Sequence, residues 1–157
     1  MKVNVMHIMK SNRYEDSKDK INSGEPVMYK GIKKNCIFCE CQDNLEIIDE
    51  NSYCFAICDK YPVTKGHTLI IPKRHVADYF EMSGEEFSSC NDLLHKRREE
   101  LLRQDAAIKG FNIGVNVGEH AGQTIFHCHI HLIPRRKGDN PFPRGGVRGV
   151  IPDRQNY

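Results

Sequence analysis

The stretch that decides the fold is His127-Cys128-His129-Ile130-His131-Leu132-Ile133. In an extended strand, side chains two residues apart lie on the same face of the sheet. The pattern therefore predicts a strand that places three imidazoles on one face and its apolar side chains on the other. Such a histidine cluster fits a solvated polar face, a three-histidine catalytic zinc site, or a nucleophile flanked by acid and orienting groups.

Short runs rich in apolar and β-branched residues lie on the amino-terminal side of this stretch. Strands are predicted at 45–48, 52–58, 66–72, 112–117 and 124–133, with a hairpin turn at 49–51. One long helix is predicted after Ser83, because Ser83 and Glu86 form a capping box and apolar residues recur near helical spacing. About five strands in hairpins and one long helix predict an antiparallel α+β domain at residues 36–137.

The two ends of the chain differ in composition from this central part. Residues 1–35 are polar and weakly patterned, and we expect them to form an N-terminal extension that is partly disordered. Residues 138–157 are rich in glycine and proline, which predicts an irregular tail. Apolar side chains such as Phe142 and Ile151 predict that this tail packs on the domain or on a dimer.

The composition excludes several classes of protein. The 157 residues carry 23 Lys and Arg against 21 Asp and Glu, a balance unsuited to a protein that binds nucleic acid through its phosphates. No apolar run reaches the ~18 residues of a membrane span. The first residues lack the apolar core of a signal peptide, so a cytoplasmic protein is expected. Seven cysteines, an odd number, favour reduced thiols or metal ligands over a disulfide framework.

The histidine stretch and its neighbours together resemble the histidine triad (HIT) family. Gly122-Gln123-Thr124 precedes the histidines and Pro134-Arg135 follows them, as in the family signature. The similarity continues through 55–59, 65–73 and 112–122, and it covers residues 36–140 without large gaps. It implies an antiparallel sheet of about five strands with one long and one short helix, in a homodimer that joins two sheets.

The resemblance also implies the reaction. In this family the middle histidine attacks the α-phosphate of a nucleotide, so His129 is implied as the nucleophile and His131 as the group that aids departure. Imidazole has a reference pKa of about 6.5 and is largely neutral at neutral pH, which suits it to attack. Besides these two catalytic residues, the implied nucleotide-binding residues are Asp59 at the ribose and His67, Asn116, Gln123 and Thr124 at the phosphate.

The pair Cys36-x-x-Cys39 is a candidate for half of a metal site. Two cysteines at this spacing are only suggestive without two further ligands. Some members of the family bind zinc through such a pair and two histidines, and the matching positions are His75 and His127. The resemblance thus implies one structural zinc ion per chain on Cys36, Cys39, His75 and His127. Cys41 is an alternative sulfur ligand if His127 faces the nucleotide instead.

The resemblance therefore implies a nucleotide hydrolase or nucleotidyl transferase that acts on dinucleoside polyphosphates or nucleoside phosphoramidates. The segment 134–139 resembles the dinucleoside-polyphosphate branches of the family, including the zinc-containing bacterial type, more than the phosphoramidase branch. Three alternatives stay open. They are a dinucleoside polyphosphate phosphorylase, a nucleotide-binding adaptor with negligible turnover, and a zinc-dependent hydrolase in which the three histidines hold the metal.

Overall fold

The computed structural model of the chain describes residues 33–40 and 46–156. Predictions for residues 1–32 and for Cys41 lie outside these ranges. Five strands form one antiparallel sheet in the order β1-β2-β3-β5-β4. The strands are β1 (Ile47–Glu50), β2 (Cys54–Cys58), β3 (Thr68–Pro72), β4 (Ile108–Gly114) and β5 (Ile130–Arg136), and the helices are α1 (Ile37–Glu40) and α2 (Gly84–Gln104). The predicted α+β fold is confirmed.

The side chains of β2 and β3 alternate between the two faces of the sheet, and both faces are buried along these strands. One set of alternate side chains packs on the α2 side of the sheet, and it comprises Cys54, Ala56 and Ile70. The other set packs against the α1 segment, and it comprises Phe55, Ile57, Leu69 and Ile71. A helix therefore covers each face at the centre of the sheet.

Helix α2 begins where the sequence predicts. Ser83 accepts a hydrogen bond from the backbone N–H of Glu86, and the Glu86 side chain accepts one from the N–H of Ser83. Arg74 also donates to the buried carboxylate of Glu86 at 2.8 Å. These contacts tie the segment after β3 to the start of α2 and fix the backbone next to His75. Among the described residues, no helix combines the length and apolar character needed to cross a membrane.

The strand that carries the histidines begins later than predicted. β5 starts at Ile130, inside the histidine stretch, and not upstream of it. The chain before Ile130 forms other hydrogen bonds, and the N–H of Cys128 donates to a carbonyl outside the sheet at 2.8 Å. His127 and His129 therefore precede the strand, and only His131 lies within it.

Other strand boundaries also differ from the predictions: β2 starts at Cys54 instead of 52, β3 at Thr68 instead of 66, and β5 ends at Arg136 instead of 133. The turn between β1 and β2 is centred on Asn51, whose side-chain oxygen accepts hydrogen bonds from two following N–H groups at 3.2 and 2.9 Å. Glu50 therefore belongs to β1 and not to the turn. β4 begins at Ile108, a buried core residue, and ends at Gly114 instead of Val117.

The tail after β5 contains one regular element that its composition did not predict. Gly146–Val150 forms a 3-10 turn that packs beside β4. The side-chain amide of Gln155 donates to the carbonyl of Phe142 at 2.9 Å and closes the segment on itself. Gly145 has a φ of +84°, and a side chain there would collide with the backbone of Gln155, so this closure requires glycine.

Candidate active site and metal centre

His129 is oriented by the backbone of His127. Its Nδ1–H donates to the carbonyl oxygen of His127 at 2.8 Å, because a carbonyl can only accept. Nε2 of the neutral ring therefore keeps its lone pair. The residue is buried, and its ring meets the edge of Phe38 with the centroids 5.5 Å apart. An imidazole held in this tautomer presents a single nucleophilic nitrogen.

His131 and His67 form a second histidine pair beside the first site. Nε2 of His67 and Nδ1 of His131 are 2.9 Å apart, and the ring of His131 lies 5.2 Å from that of His129. Nε2 of His131 is buried, and no described residue bonds to it. A buried polar atom without a partner is costly. This nitrogen is therefore the atom that a ligand would satisfy.

Burial keeps the imidazoles of this pair neutral. Burial, together with His129 and His67, lowers the pKa of His131 to about 4. Burial also lowers the pKa of His67, against the opposing effect of the Asp59 carboxylate. Oδ2 of Asp59 lies 3.4 Å from Nδ1 of His67 and 3.9 Å from Nδ1 of His131. At neutral pH the pair acts through hydrogen bonds and not as cations.

A cavity of about 420 Å³ opens beside this histidine pair. Asn116, one of the predicted nucleotide-binding residues, lines it together with His67 and His131. The tail contributes one wall through Val147 and Val150. None of the described residues that line the cavity is charged. The cavity therefore has a neutral lining of polar and apolar side chains beside His131.

Gln123 and Thr124 are placed differently from the other predicted phosphate contacts. The side-chain amide of Gln123 donates to two backbone carbonyls at 2.7 and 3.2 Å and accepts from the N–H of Gly118 at 2.8 Å. Gln123 is buried and uses these bonds to hold the loop before the histidines. Thr124 is exposed and borders a separate cavity beside Cys36 and His75.

Four potential metal ligands converge where α1 meets the histidine stretch. Their ligand atoms all lie within 4.8 Å of one another, and the residues are Cys36, Cys39, His75 and His127. Nδ1 of His127 is 3.4 and 3.5 Å from the two sulfurs, and Nδ1 of His75 is 3.4 Å from Cys39 Sγ. A tetrahedral zinc ion with ordinary bond lengths would separate sulfur and nitrogen ligands by about 3.5 Å. The spacing fits a closed two-sulfur, two-nitrogen site.

His127 connects this cluster to His129. Its Nε2–H donates to the carbonyl of Pro72 at 2.8 Å, which leaves the lone pair of Nδ1 for the cluster. Burial lowers the pKa of His127 to about 4, so the ring is neutral at physiological pH. The carbonyl of the same residue holds His129. Any displacement of His127 would therefore move the acceptor that orients the ring of His129.

The family follows from this geometry and from comparison with known proteins. The family model described as the HIT domain matches residues 41–138. The chain belongs to the HIT family. Its structure is similar to crystal structures of a HIT family protein from Bacillus anthracis (39% identity, TM-score 0.63) and of a zinc-bound histidine triad family protein from Mycobacterium smegmatis (33%, 0.62). The matches cover 68% of this chain in both cases, and 77% and 78% of those chains.

A third HIT neighbour is a HIT family hydrolase from Clostridium thermocellum. It is 32% identical, with a TM-score of 0.56, and the match covers 68% of this chain and 95% of that chain. These likenesses confirm the family and the fold that the sequence predicts.

Several groups at this HIT site were not predicted. The ring of Phe38 contacts the rings of His127 and His129, with centroids 5.8 and 5.5 Å away. The sequence signal for that contact was the position of an aromatic residue, Phe38, between Cys36 and Cys39. The carbonyl of Pro72 bonds to His127, and the N–H of Val63 approaches Nδ1 of His67 at 3.4 Å. Both are backbone groups, and no side-chain pattern could have indicated them.

Proposed function

We propose that this HIT protein is a nucleotide hydrolase or nucleotidyl transferase in which Nε2 of His129 attacks the α-phosphate. The observation that carries the proposal is the state of two neighbouring ring nitrogens, Nε2 of His129 and Nε2 of His131. His129 has a lone pair on Nε2 because its Nδ1–H is bonded to a carbonyl. Beside it, Nε2 of His131 is buried and has no partner among the residues that the structure describes. Together they offer a nucleophile and a group that meets the departing atom.

The reaction has two steps in this proposal. Nε2 of His129 forms a bond to the α-phosphorus while the bond from phosphorus to the leaving group breaks. His131 stabilises the charge that develops on the departing atom through a hydrogen bond. Water then attacks the phosphorus of the nucleotidyl-histidine, releases the nucleoside monophosphate and a proton, and restores His129. Asn116 lines the same cavity as His131, and its proposed role is to contact the phosphate.

We propose dinucleoside polyphosphates or nucleoside phosphoramidates as the substrate class. The test is incubation with diadenosine tetraphosphate or adenosine phosphoramidate, with and without orthophosphate, followed by product analysis. Hydrolysis gives AMP and ATP from the tetraphosphate in both conditions. Formation of ADP only with orthophosphate would identify a phosphorylase. Binding without turnover of either compound would identify an adaptor and contradict the enzyme.

We also propose that Cys36, Cys39, His75 and His127 hold one structural zinc ion. Bound there, zinc would fix the backbone at His127 and would not polarise the substrate. This arrangement is favoured over a metal held by the three histidines. Nδ1 of His127 lies 3.4 and 3.5 Å from the two sulfurs, and this cysteine pair supplies soft zinc ligands away from His129 and His131.

A homodimer that joins two sheets through the β4 edge is part of the proposal. β4 ends the strand order, so one side of it has no strand partner among the described residues. Ile113 on this strand is 53% exposed, which is high for a large apolar side chain on a β-strand. Sedimentation of the purified protein would measure the oligomeric state. A cytoplasmic location remains a prediction.

Asp59 is proposed to accept hydrogen bonds from the ribose hydroxyls. Loss of a hydrogen bond to a charged acceptor costs roughly 1.5–3 kcal/mol, so 2′,3′-dideoxy-AMP should bind about tenfold or more weakly than AMP. The Asp59→Ala variant should bind both nucleotides alike. Calorimetric titration would measure the four affinities. Equal affinity of the wild-type protein for AMP and the dideoxy analogue would remove Asp59 from the ribose site.

The tail is proposed to border the path of the leaving group, because Val147 and Val150 line the cavity beside His131. A carboxylate at position 150 should repel a polyphosphate, so Val150→Glu should lower kcat/KM for diadenosine tetraphosphate about tenfold. Turnover of adenosine phosphoramidate, whose leaving group is small, should fall less. Ile151→Glu is the matched control, since Ile151 is exposed but does not line the cavity. Equal losses in both variants would contradict the tail's role.

A further inference from the structure

Two cysteines from different elements meet in the core on the α2 side of the sheet. Cys54 is the first residue of β2, Cys90 lies within α2, and their sulfurs are 2.9 Å apart. Both residues are buried, with exposures of 0% and 1%. A disulfide bond is about 2.05 Å long, so the two sulfurs need to approach by only about 0.9 Å to bond. The pair is therefore placed for a covalent link between the helix and the sheet.

The thiol protons of this pair have defined positions. The S–H of Cys54 donates to the backbone carbonyl of Glu86 at 3.6 Å, since a carbonyl can only accept. The S–H of Cys90 is then the donor in the contact between the two sulfurs. This hydrogen bond, together with burial, raises the pKa of Cys90. Cys90 therefore stays a protonated thiol in the folded protein and reacts slowly there, because the thiolate is the reactive form.

The other described cysteines are separate from this pair. Cys36 and Cys39 belong to the proposed zinc cluster and pack on the opposite face of the sheet. The S–H of Cys128 is directed at the sulfur of Met82 at 3.6 Å, and burial raises the pKa of Cys128 to about 12. Cys58 is exposed at the far end of β2. Each sulfur of the pair in the core therefore has the other as its partner thiol.

We propose that Cys54 and Cys90 are a modification site, at which a hydroperoxide converts the two thiols to a disulfide that fastens α2 to β2. One sulfur attacks a peroxide oxygen, the O–O bond breaks, and a sulfenic acid forms while water or an alcohol leaves with the thiol proton. The second sulfur attacks the sulfenic sulfur, the S–O bond breaks, and water leaves. The two thiols lose two electrons, which the peroxide takes up. The modification is independent of the proposed nucleotide chemistry.

Burial determines when this pair reacts. Of the cysteines that the structure describes, only Cys58 is exposed, so it should meet a peroxide first. Cys54 and Cys90 become reactive when α2 opens locally from the sheet. Their short separation then lets the second thiol capture the sulfenic acid before it oxidises further. Once α2 has closed again, the bond is shielded from reductants such as glutathione. The site therefore responds to sustained exposure and not to a brief pulse.

Peptide mapping after peroxide treatment tests the bond directly. Folded Cys58→Ser protein is kept in hydrogen peroxide for hours, unfolded in an alkylating reagent and digested. We expect the protein to lose the mass of two hydrogen atoms and to yield one linked pair of peptides that contains Cys54 and Cys90. The melting temperature of the oxidised protein should rise by about 5 °C or more, because the link closes a loop in the unfolded chain. Reduction of the unfolded protein should reverse both changes.

Cys128→Ala, made in the same Cys58→Ser protein, is the matched control, because Cys128 is a buried cysteine of the same core cluster. It should form the link, whereas Cys90→Ala should not, and Cys54 in that variant should proceed to sulfinic acid. The proposal would be overturned if Cys54 and Cys90 were both alkylated after a treatment that converts Cys58 of the wild-type protein to sulfinic acid. A link from either residue to another cysteine, or a link without a rise in melting temperature, would overturn it too. Mapping of the Cys58→Ser protein decides this even if a core variant does not fold.

Discussion

His129→Ala is expected to lower kcat for nucleotide release by about 10⁴-fold or more, because it removes the atom that bonds to phosphorus. The groups proposed to contact ribose and phosphate, Asp59 and Asn116, remain in place. Affinity for AMP should therefore change far less than turnover. Single-turnover kinetics would measure the chemical step, and calorimetry would measure the affinity.

The matched control is His95→Ala, which removes an exposed histidine from α2. It should leave kcat near the wild-type value. Acid quenching during wild-type turnover should trap nucleotide on the protein, and the His129→Ala variant should trap none. Near-native turnover in His129→Ala would contradict the covalent mechanism. If that turnover were then lost on chelation, the zinc-dependent alternative would be favoured.

The histidine site could be predicted because its signal is carried by side-chain spacing. The rings of His127 and His129 both contact Phe38, and the ring of His131 lies 5.2 Å from that of His129. The three rings are therefore adjacent, as the spacing predicts, although β5 begins only at Ile130. His127 and His129 thus share one side of the chain although both precede the strand.

The atoms that set the protonation of these rings could not be predicted. The carbonyl of Pro72, the carbonyl of His127 and the N–H of Val63 are backbone groups brought into place by tertiary structure. Every residue except proline carries the same two groups, so composition and spacing contain no information about them. Gln123 illustrates the same limit, because its side-chain amide bonds to three backbone groups, those of Ala77, Gly118 and Ile125.

The observed ends of the strands differ from the predicted ends for a related reason. The charged residues at 49 and 50 predicted a turn at those positions. The turn forms later instead, because the side chain of Asn51 accepts hydrogen bonds from the N–H groups that follow it. β4 extends back to Ile108 because that residue is buried with Leu101 and Leu132. Tertiary burial thus overrides the local pattern of small and polar residues from which the strand was predicted.

Protein purified without chelator is expected to contain about one equivalent of zinc per chain, and Cys39→Ser is expected to lose it. Apparent zinc-binding energies of structural sites reach roughly 10–16 kcal/mol in zinc-finger peptides. Here the core retains the contacts of the sheet with α2, so the loss should be smaller, yet still a drop in melting temperature of about 10 °C or more. X-ray absorption should report two sulfur and two nitrogen ligands.

Cys58→Ser provides the control for this metal prediction, since Cys58 is the exposed residue at the end of β2 and lies outside the cluster. It should retain both zinc and melting temperature. Cys39→Ser should also lower kcat, because His127 loses the contact that fixes its carbonyl against Nδ1 of His129. Absence of zinc from the wild-type protein, or a full equivalent in Cys39→Ser, would contradict the site. An unchanged kcat in zinc-free Cys39→Ser would show that the nucleophile is held without the metal.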